Sequence, residues 1–174
     1  MTDAPLGRLL PGDPPTLQFV RDLAHPVDKV WRAITERDHL RSWMPCDIIG
    51  ARREGGELRL PFWPEVLERH GFDDPGLTGI VRVWEPPKIF EWTWDTDVVR
   101  FELEANGDRT TLTLTTWLSG KDAGTEKTAA GYHVCLDHLV QVLDTGSAPS
   151  VVATDASSLE ARYEDTITAP STTE

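Results

Sequence analysis

The amino-acid sequence predicts an α+β protein in which a run of antiparallel strands precedes one long helix. From residue 77 onward, four strand-like segments follow one another with connections too short for a crossover helix, which indicates an antiparallel meander. Residues 125–143 then carry apolar side chains at the i, i+3, i+4, i+7 spacing of a helix with one buried face. A length of 174 residues suits one such domain.

The chain opens with an extended leader and a first strand. Residues 1–15 contain four prolines, which predicts the leader. Apolar and polar residues alternate over residues 16–24, the period of a half-buried strand. Arg21 interrupts the apolar set, so we interpret it as an end residue or as a charge reaching past the sheet edge.

Two short helices are predicted after this strand. Pro26 lies near the start of the first, where a missing N–H costs least, and the apolar residues that follow it have helical spacing. Residues 37–42 form the second, which Pro45 ends.

The remaining strands are predicted from alternation and turn residues. Gly55-Gly56 indicates a hairpin turn, and the segment 64–76 is predicted as a long loop. The predicted strands are residues 46–53, 57–62, 77–85, 88–95, 98–104 and 110–118.

After the long helix comes a polar tail. The helix presents an apolar stripe made of Tyr132, Cys135, Leu136, Leu139, Val142 and Leu143. Residues 147–174 are rich in Ser, Thr and Ala, but three apolar residues spaced four apart predict a short docking helix near residues 157–168. We therefore place the domain at residues 16–146.

Composition narrows the possible partners and the compartment. A formal net charge of −12 argues against binding nucleic acid or an anionic membrane, because the phosphates would be repelled. No apolar stretch long enough to span a bilayer and no secretory signal is found in the sequence. Two cysteines are too few for a disulfide framework, so we expect a cytoplasmic protein.

Seven segments, in order along the chain, resemble one known family. The opening segments, including LQFVRDLAHP and LRSWMP, resemble the SRPBCC/START-like superfamily, and GIVRVWEPP and FEWTW resemble the branch named for the activator of heat-shock-protein-90 ATPase. The matching segments are residues 17–26, 30–31, 40–45, 79–87, 90–94, 110–115 and 131–139. The resemblance implies a helix-grip fold, with a curved antiparallel sheet of about six or seven strands gripping the C-terminal helix.

The resemblance implies a cavity but no mechanism, because this branch shares no catalytic residues. We expect the cavity to bind a small hydrophobic or aromatic molecule, in a ligand-binding or stress-response role. Two alternatives stay open. One is a co-chaperone-like activator of the heat-shock-protein-90 ATPase, for which Trp63 and the loop holding Phe72 offer the only exposed apolar patch. The other is a polyketide cyclase/aromatase-like or hydrolase-like enzyme, and a monomer and a homodimer are both compatible with the fold.

Eleven residues are candidates for lining the cavity. Trp63, between two prolines, is interpreted as a lid residue, and Tyr132 stands where the family has a tryptophan after the helix glycine. The candidates are Trp43, Phe62, Trp63, Phe90, Trp92, Trp94, Phe101, Tyr132, Cys135, Leu136 and Leu139.

Two polar residues are candidate anchors for a ligand. Arg100 would bind an acidic or carbonyl-bearing molecule if its strand face looks inward. His133 and Asp137 stand at i, i+4 and form either a solvated pair or a carboxylate-oriented general base, whereas His138 is placed at the surface. No catalytic residue, cofactor or metal site is predicted.

Overall fold

The computed structural model describes residues 4–71, 73, 76–119 and 124–168, and its central feature is one curved, unclosed sheet of eight antiparallel strands. Their order across the sheet is β1-β2-β8-β7-β6-β5-β4-β3. The strands are β1 (Arg8–Leu10), β2 (Thr16–Leu23), β3 (Ile49–Gly50), β4 (Glu57–Arg59), β5 (Thr78–Glu85), β6 (Ile89–Trp94), β7 (Asp97–Asn106) and β8 (Arg109–Trp117).

The described residues also form five α-helices and one short 3-10 helix, Val151–Ala153. The α-helices are α1 (Val27–Thr35), α2 (Arg37–Leu40), α3 (Pro64–His70), α4 (Thr125–Thr145) and α5 (Ser157–Thr168). The long helix α4 packs against the inner face of the sheet, and the helix-grip fold is confirmed. None of the helices in the described part of the chain is both long and apolar enough to cross a membrane.

The sheet has one strand more than the sequence predicts, because the proline-rich leader contains β1. Leu9 pairs with Leu17 of β2, so the leader adds an edge strand. With only three residues, β1 is too short for alternation to reveal it.

The predicted loop at residues 64–76 instead begins with a helix. Pro64 occupies the first helical position of α3, and Gly71, with a left-handed φ of 64°, ends it by donating its N–H to the Leu67 carbonyl. A proline at the start and a glycine just past the end are the ordinary boundaries of a helix. The prediction of an irregular loop was therefore wrong for this segment.

Strand register decides which side chains face the core. Phe90 of β6 pairs with Phe101 of β7, which pairs with Leu114 of β8, and all three are buried on the inner face. Glu91 and Arg100, one residue further along, pair on the outer face. The core therefore lies between the inner face and α4.

Candidate functional site

An aromatic cluster fills one part of the space under the sheet. Its neighbouring rings have centroids 4.4 to 5.9 Å apart. The cluster consists of Trp31, Trp84, Phe90, Trp92, Phe101 and Trp43, in order of contact. Trp92 is completely buried and stacks on Phe101 at an interplanar angle of 19°. This side of the core is therefore solid.

A cavity of about 780 Å³ lies beside the aromatic cluster. The sheet, α4, α3 and the segment around the 3-10 helix all contribute to its wall. Apolar side chains dominate the inner part and include Trp43, Phe62, Trp94, Phe101, Leu114 and Leu136. We refer to this space as the cavity.

The fold brings seven of the predicted lining residues together at the cavity. Phe62 and Trp94 form an aromatic pair there, with ring centroids 6.3 Å apart. The seven are Trp43, Phe62, Trp94, Phe101, Tyr132, Cys135 and Leu136. Residues of α3 and of the C-terminal segment also line the cavity. They were not predicted, because no local pattern in the sequence relates them to α4.

The structure places three other candidates in packed core. Phe90 and Trp92 belong to the aromatic cluster, and Leu139 of α4 is buried in the core. Neighbouring side chains already occupy the space around them, so these three pack the core and do not line the cavity.

Trp63 is not a lid residue. It is 8% exposed, and its Nε1–H donates to the Met44 carbonyl oxygen at 2.7 Å. The guanidinium carbon of Arg41 lies 4.5 Å from the centroid of its ring. The indole fixes the start of α3. Moving this buried ring into solvent would break its N–H hydrogen bond and expose its apolar surface.

Arg100 lies on the outer face of the sheet, away from the cavity. Its guanidinium contacts Glu91 at 3.0 Å and Glu102 at 3.2 Å. Glu91 also contacts Arg82 at 3.3 Å. The alternation of β7 points Val99 and Phe101 towards the cavity, so Arg100 points the other way. It contacts the carboxylates on the outer face and cannot anchor a ligand in the cavity.

His133 is buried on the opposite flank of α4 and is not part of a solvated pair. Its Nδ1 lies 2.8 Å from the Tyr163 hydroxyl, and its Nε2 lies 3.6 Å from Asp137. Burial lowers the pKa of His133, an effect that the Asp137 carboxylate opposes and Arg21 reinforces. The prediction of a solvated pair failed because α5 covers this flank.

Arg21 and His138 are buried, although the sequence predicts Arg21 at the strand end or past the sheet edge and His138 at the surface. Arg21 lies on the inner face of β2, 5% exposed, and donates to the carbonyl oxygens of Pro5 and Val20 at 3.0 Å each. His138 is likewise buried, with Nε2 2.9 Å from the Thr154 hydroxyl. Both are covered by the two terminal segments, which local patterns do not place.

Burial keeps two groups at the cavity wall, the Tyr132 hydroxyl and the Cys135 thiol, uncharged. It raises the pKa of the Tyr132 hydroxyl, which interacts with Thr116, and it raises the pKa of the Cys135 thiol to about 12. The hydroxyl can therefore donate a hydrogen bond, whereas the thiol is a poor nucleophile at neutral pH.

The outer part of the wall carries charged side chains. Asp95, Asp97 and Glu160 contribute carboxylates, and Lys127 contributes an ammonium group. Within the described residues, no group of three or more His, Cys, Asp or Glu side chains could hold a metal ion.

Comparison with solved structures supports the fold over nearly the whole chain. The conserved protein of unknown function EF2215 from Enterococcus faecalis superposes with a TM-score of 0.75 at 22% identity, covering 93% of this chain and 90% of that one. The protein encoded by gene BPP1335 from Bordetella parapertussis gives 0.70 at 25% identity, with the same coverage of 93% and 90%. CalU16 from Micromonospora echinospora gives 0.65 at 19% identity, covering 94% and 96%.

Sequence comparison identifies the family. No curated protein matches the chain. The family model described as "Activator of Hsp90 ATPase homolog 1-like protein" matches residues 24–144, which run from just after β2 to the last turn of α4. This range contains most of the segments on which the predicted resemblance rests, and that prediction is confirmed. The chain belongs to the family of Activator of Hsp90 ATPase homolog 1-like proteins.

Proposed function

We propose that the protein binds a small, uncharged apolar or aromatic molecule in the cavity. The observation that carries this proposal is a space of about 780 Å³ with an inner wall of aromatic and aliphatic side chains. Small-molecule sites in proteins have volumes of roughly 300–1,000 Å³ and are mostly apolar, with a few polar groups that orient the ligand.

The polar groups of the wall favour an uncharged ligand. Three carboxylates and one ammonium group make the outer part of the described wall net acidic, which disfavours an anion. Deeper in, the neutral Tyr132 hydroxyl offers a hydrogen bond but no compensating charge. Burying a neutral polar group that finds no hydrogen-bond partner costs on the order of 2–7 kcal/mol. Burying an unpaired charge in the same space costs more.

The two alternative functions have less support from the geometry. The enzyme alternative loses its general base, because His133 lies on the other flank of α4. The co-chaperone alternative loses Trp63 as an exposed apolar anchor, and Phe72 lies outside the described residues. The exposed large apolar residues of the described part of the chain each stand on a different strand; they are Leu9, Val20, Ile49 and Ile80.

Titration with the neutral dye Nile red tests the proposal. We expect saturable binding to the wild-type protein, with a change in tryptophan fluorescence. The Cys135→Phe variant, which places a ring in the cavity, should weaken binding about ten-fold or more, equivalent to ~1.4 kcal/mol.

Arg100→Gln is the matched control on the outer face, and it should bind the dye like the wild-type protein. The proposal is refuted if Nile red shows no saturable binding. It is equally refuted if Cys135→Phe binds the dye as tightly as Arg100→Gln does.

A further inference from the structure

The segment that follows the family-matched region forms one wall of the cavity. Residues 151–168, which comprise the 3-10 helix and α5, are named here the C-terminal strap. Val151, Val152, Thr154 and Ala156 of this strap, all half-buried, line the cavity together with Glu160. The family model ends at residue 144, so this wall comes from outside the matched region.

We infer that the C-terminal strap determines which molecules fit the cavity, and that Tyr163 is the residue that positions it. The inference rests on the proposed binding function. The strap supplies a part of the wall that neither the sheet nor α4 provides, so it sets part of the size of the space. Its side chains then select ligands by shape, because close packing makes the fit sensitive to single methylene groups.

Tyr163 of α5 connects its helix by hydrogen bonds to the N-terminal segment and to α4. It is 1% exposed, and its hydroxyl oxygen accepts the backbone N–H of Gly7 at 2.8 Å. Because a backbone N–H can only donate, the hydroxyl proton remains available for Nδ1 of His133, which is also 2.8 Å away. This arrangement leaves the imidazole proton on Nε2, on the side of Asp137.

A second attachment holds the other end of the strap. Thr154, directly after the 3-10 helix, contacts Nε2 of His138 at 2.9 Å. Leu159 of α5 is buried in the main core together with Tyr163. The strap is thus held at Thr154, within the lining segment, and again at Leu159 and Tyr163 of α5. Loss of the Tyr163 hydroxyl removes two hydrogen bonds at once.

Two probes of different size test the role of the strap. We expect Val152→Trp to weaken binding of the large dye Nile red about ten-fold or more, while binding of the smaller 1-naphthol changes less than about two-fold. Equal weakening of both probes, or of neither, would overturn the assignment of ligand selection to the strap.

Hydrogen exchange tests Tyr163 separately. Tyr163→Phe keeps the ring but removes the hydroxyl, and we expect faster amide exchange across residues 151–168 together with weaker Nile red binding. Ser158→Ala, at an exposed position of α5, is the matched control and should change neither. Unchanged exchange in Tyr163→Phe would show that this residue does not position the strap.

The two sets of results separate the inference from the function on which it rests. If neither probe binds the wild-type protein, the proposed function fails and ligand selection by the strap fails with it. If both probes bind and Cys135→Phe blocks Nile red but Val152→Trp and Tyr163→Phe do not, the binding function stands and the inference alone is overturned.

Discussion

At the scale of single residues, burial decides which side chains can do chemistry. Cys135 lines the cavity, yet burial raises the pKa of its thiol to about 12, and burial also raises the pKa of the Cys46 thiol. At neutral pH, a thiol whose pKa is raised this far is almost entirely protonated. Both cysteines therefore act as small apolar side chains.

Alkylation kinetics check this prediction. We expect iodoacetamide at pH 7.5 to modify the native protein at least about a hundred-fold more slowly than a free thiol, because the thiolate fraction is so small. Denaturant should restore a normal rate for Cys135 and Cys46. Rapid modification of Cys135 in the native protein would contradict the prediction.

Two glycines show how differently one added methyl group can act. A Cβ at Gly79 in β5 would lie 1.9 Å from the Thr93 backbone oxygen, whereas a Cβ at Gly131 in α4 would meet nothing within 4 Å. We expect Gly79→Ala to destabilise the protein by about 1–3 kcal/mol, since backbone must move. Gly131→Ala should stabilise it by about 0.5–1 kcal/mol through helix propensity.

Urea unfolding of both variants measures these two opposite effects. Each serves as the control for the other, because both replace glycine by alanine within a regular element. A Gly79→Ala protein as stable as the wild type would show that β5 and β6 are not as closely spaced as the structure indicates.

At the scale of elements, α4 packs on the sheet and also contacts the C-terminal strap at two separate places. Its stripe, including Leu136 and Leu139, packs on the sheet. His133 contacts Tyr163 of α5, and His138, on a different side of the helix, contacts Thr154. The helical periodicity of the sequence shows only the first contact. Both histidines are polar, so their burial becomes visible only once the C-terminal strap is in place.

This burial predicts a pH dependence of stability. The groups that face His133 are Asp137 of α4, Arg21 of β2, and Arg162 and Tyr163 of α5. Burial is the main cause that lowers the pKa of His133 in the folded protein, and the two arginines add to it against Asp137. The unfolded chain thus binds a proton more readily than the folded one below about pH 6.5, and stability falls as the pH falls.

Urea midpoints at pH 7.5 and 5.5 measure this dependence. We expect a smaller loss of stability between these two values in His133→Gln than in the wild-type protein, because the variant cannot take up the proton. Ser158→Ala should keep the wild-type dependence. Identical pH dependences of all three proteins would argue against a buried, neutral His133.

At the scale of the whole molecule, the C-terminal strap belongs to the core rather than to a separate unit. Removing residues 147–174 would expose the buried flank of α4 and delete two buried side chains, Leu159 and Tyr163. We expect the shortened chain to retain its sheet but to lose on the order of 3 kcal/mol of stability, from lost apolar burial alone. Circular dichroism with urea unfolding would measure both, and an undiminished stability would contradict the prediction.

Much of the fold was predictable because it rests on local periodicity. The strands from β5 to β8 alternate over six to ten residues, and α4 keeps its apolar spacing over most of its length. The segments without such signals were harder to predict. β1 is only three residues long, and the proline and glycine that bound α3 were interpreted as loop residues.

The candidate site was predictable only in part. Alternation along β6 groups Phe90, Trp92 and Trp94 on one face, but only Trp94 reaches the cavity, while the other two lie in the aromatic cluster. The position of a residue along the strand axis separates filled core from open space, and alternation carries no information about it.

The sequence by itself determined the fold class, the long helix, the acidic charge and the resemblance to the family, because each depends on composition or on short-range order. The tertiary structure decided where the cavity lies and which flank of α4 the C-terminal strap covers. The hydrogen bonds that hold the strap join residues from 16 positions apart, for His138 and Thr154, to 156 positions apart, for Gly7 and Tyr163. They depend on how surfaces fit after folding, and no local pattern of residues encodes that fit.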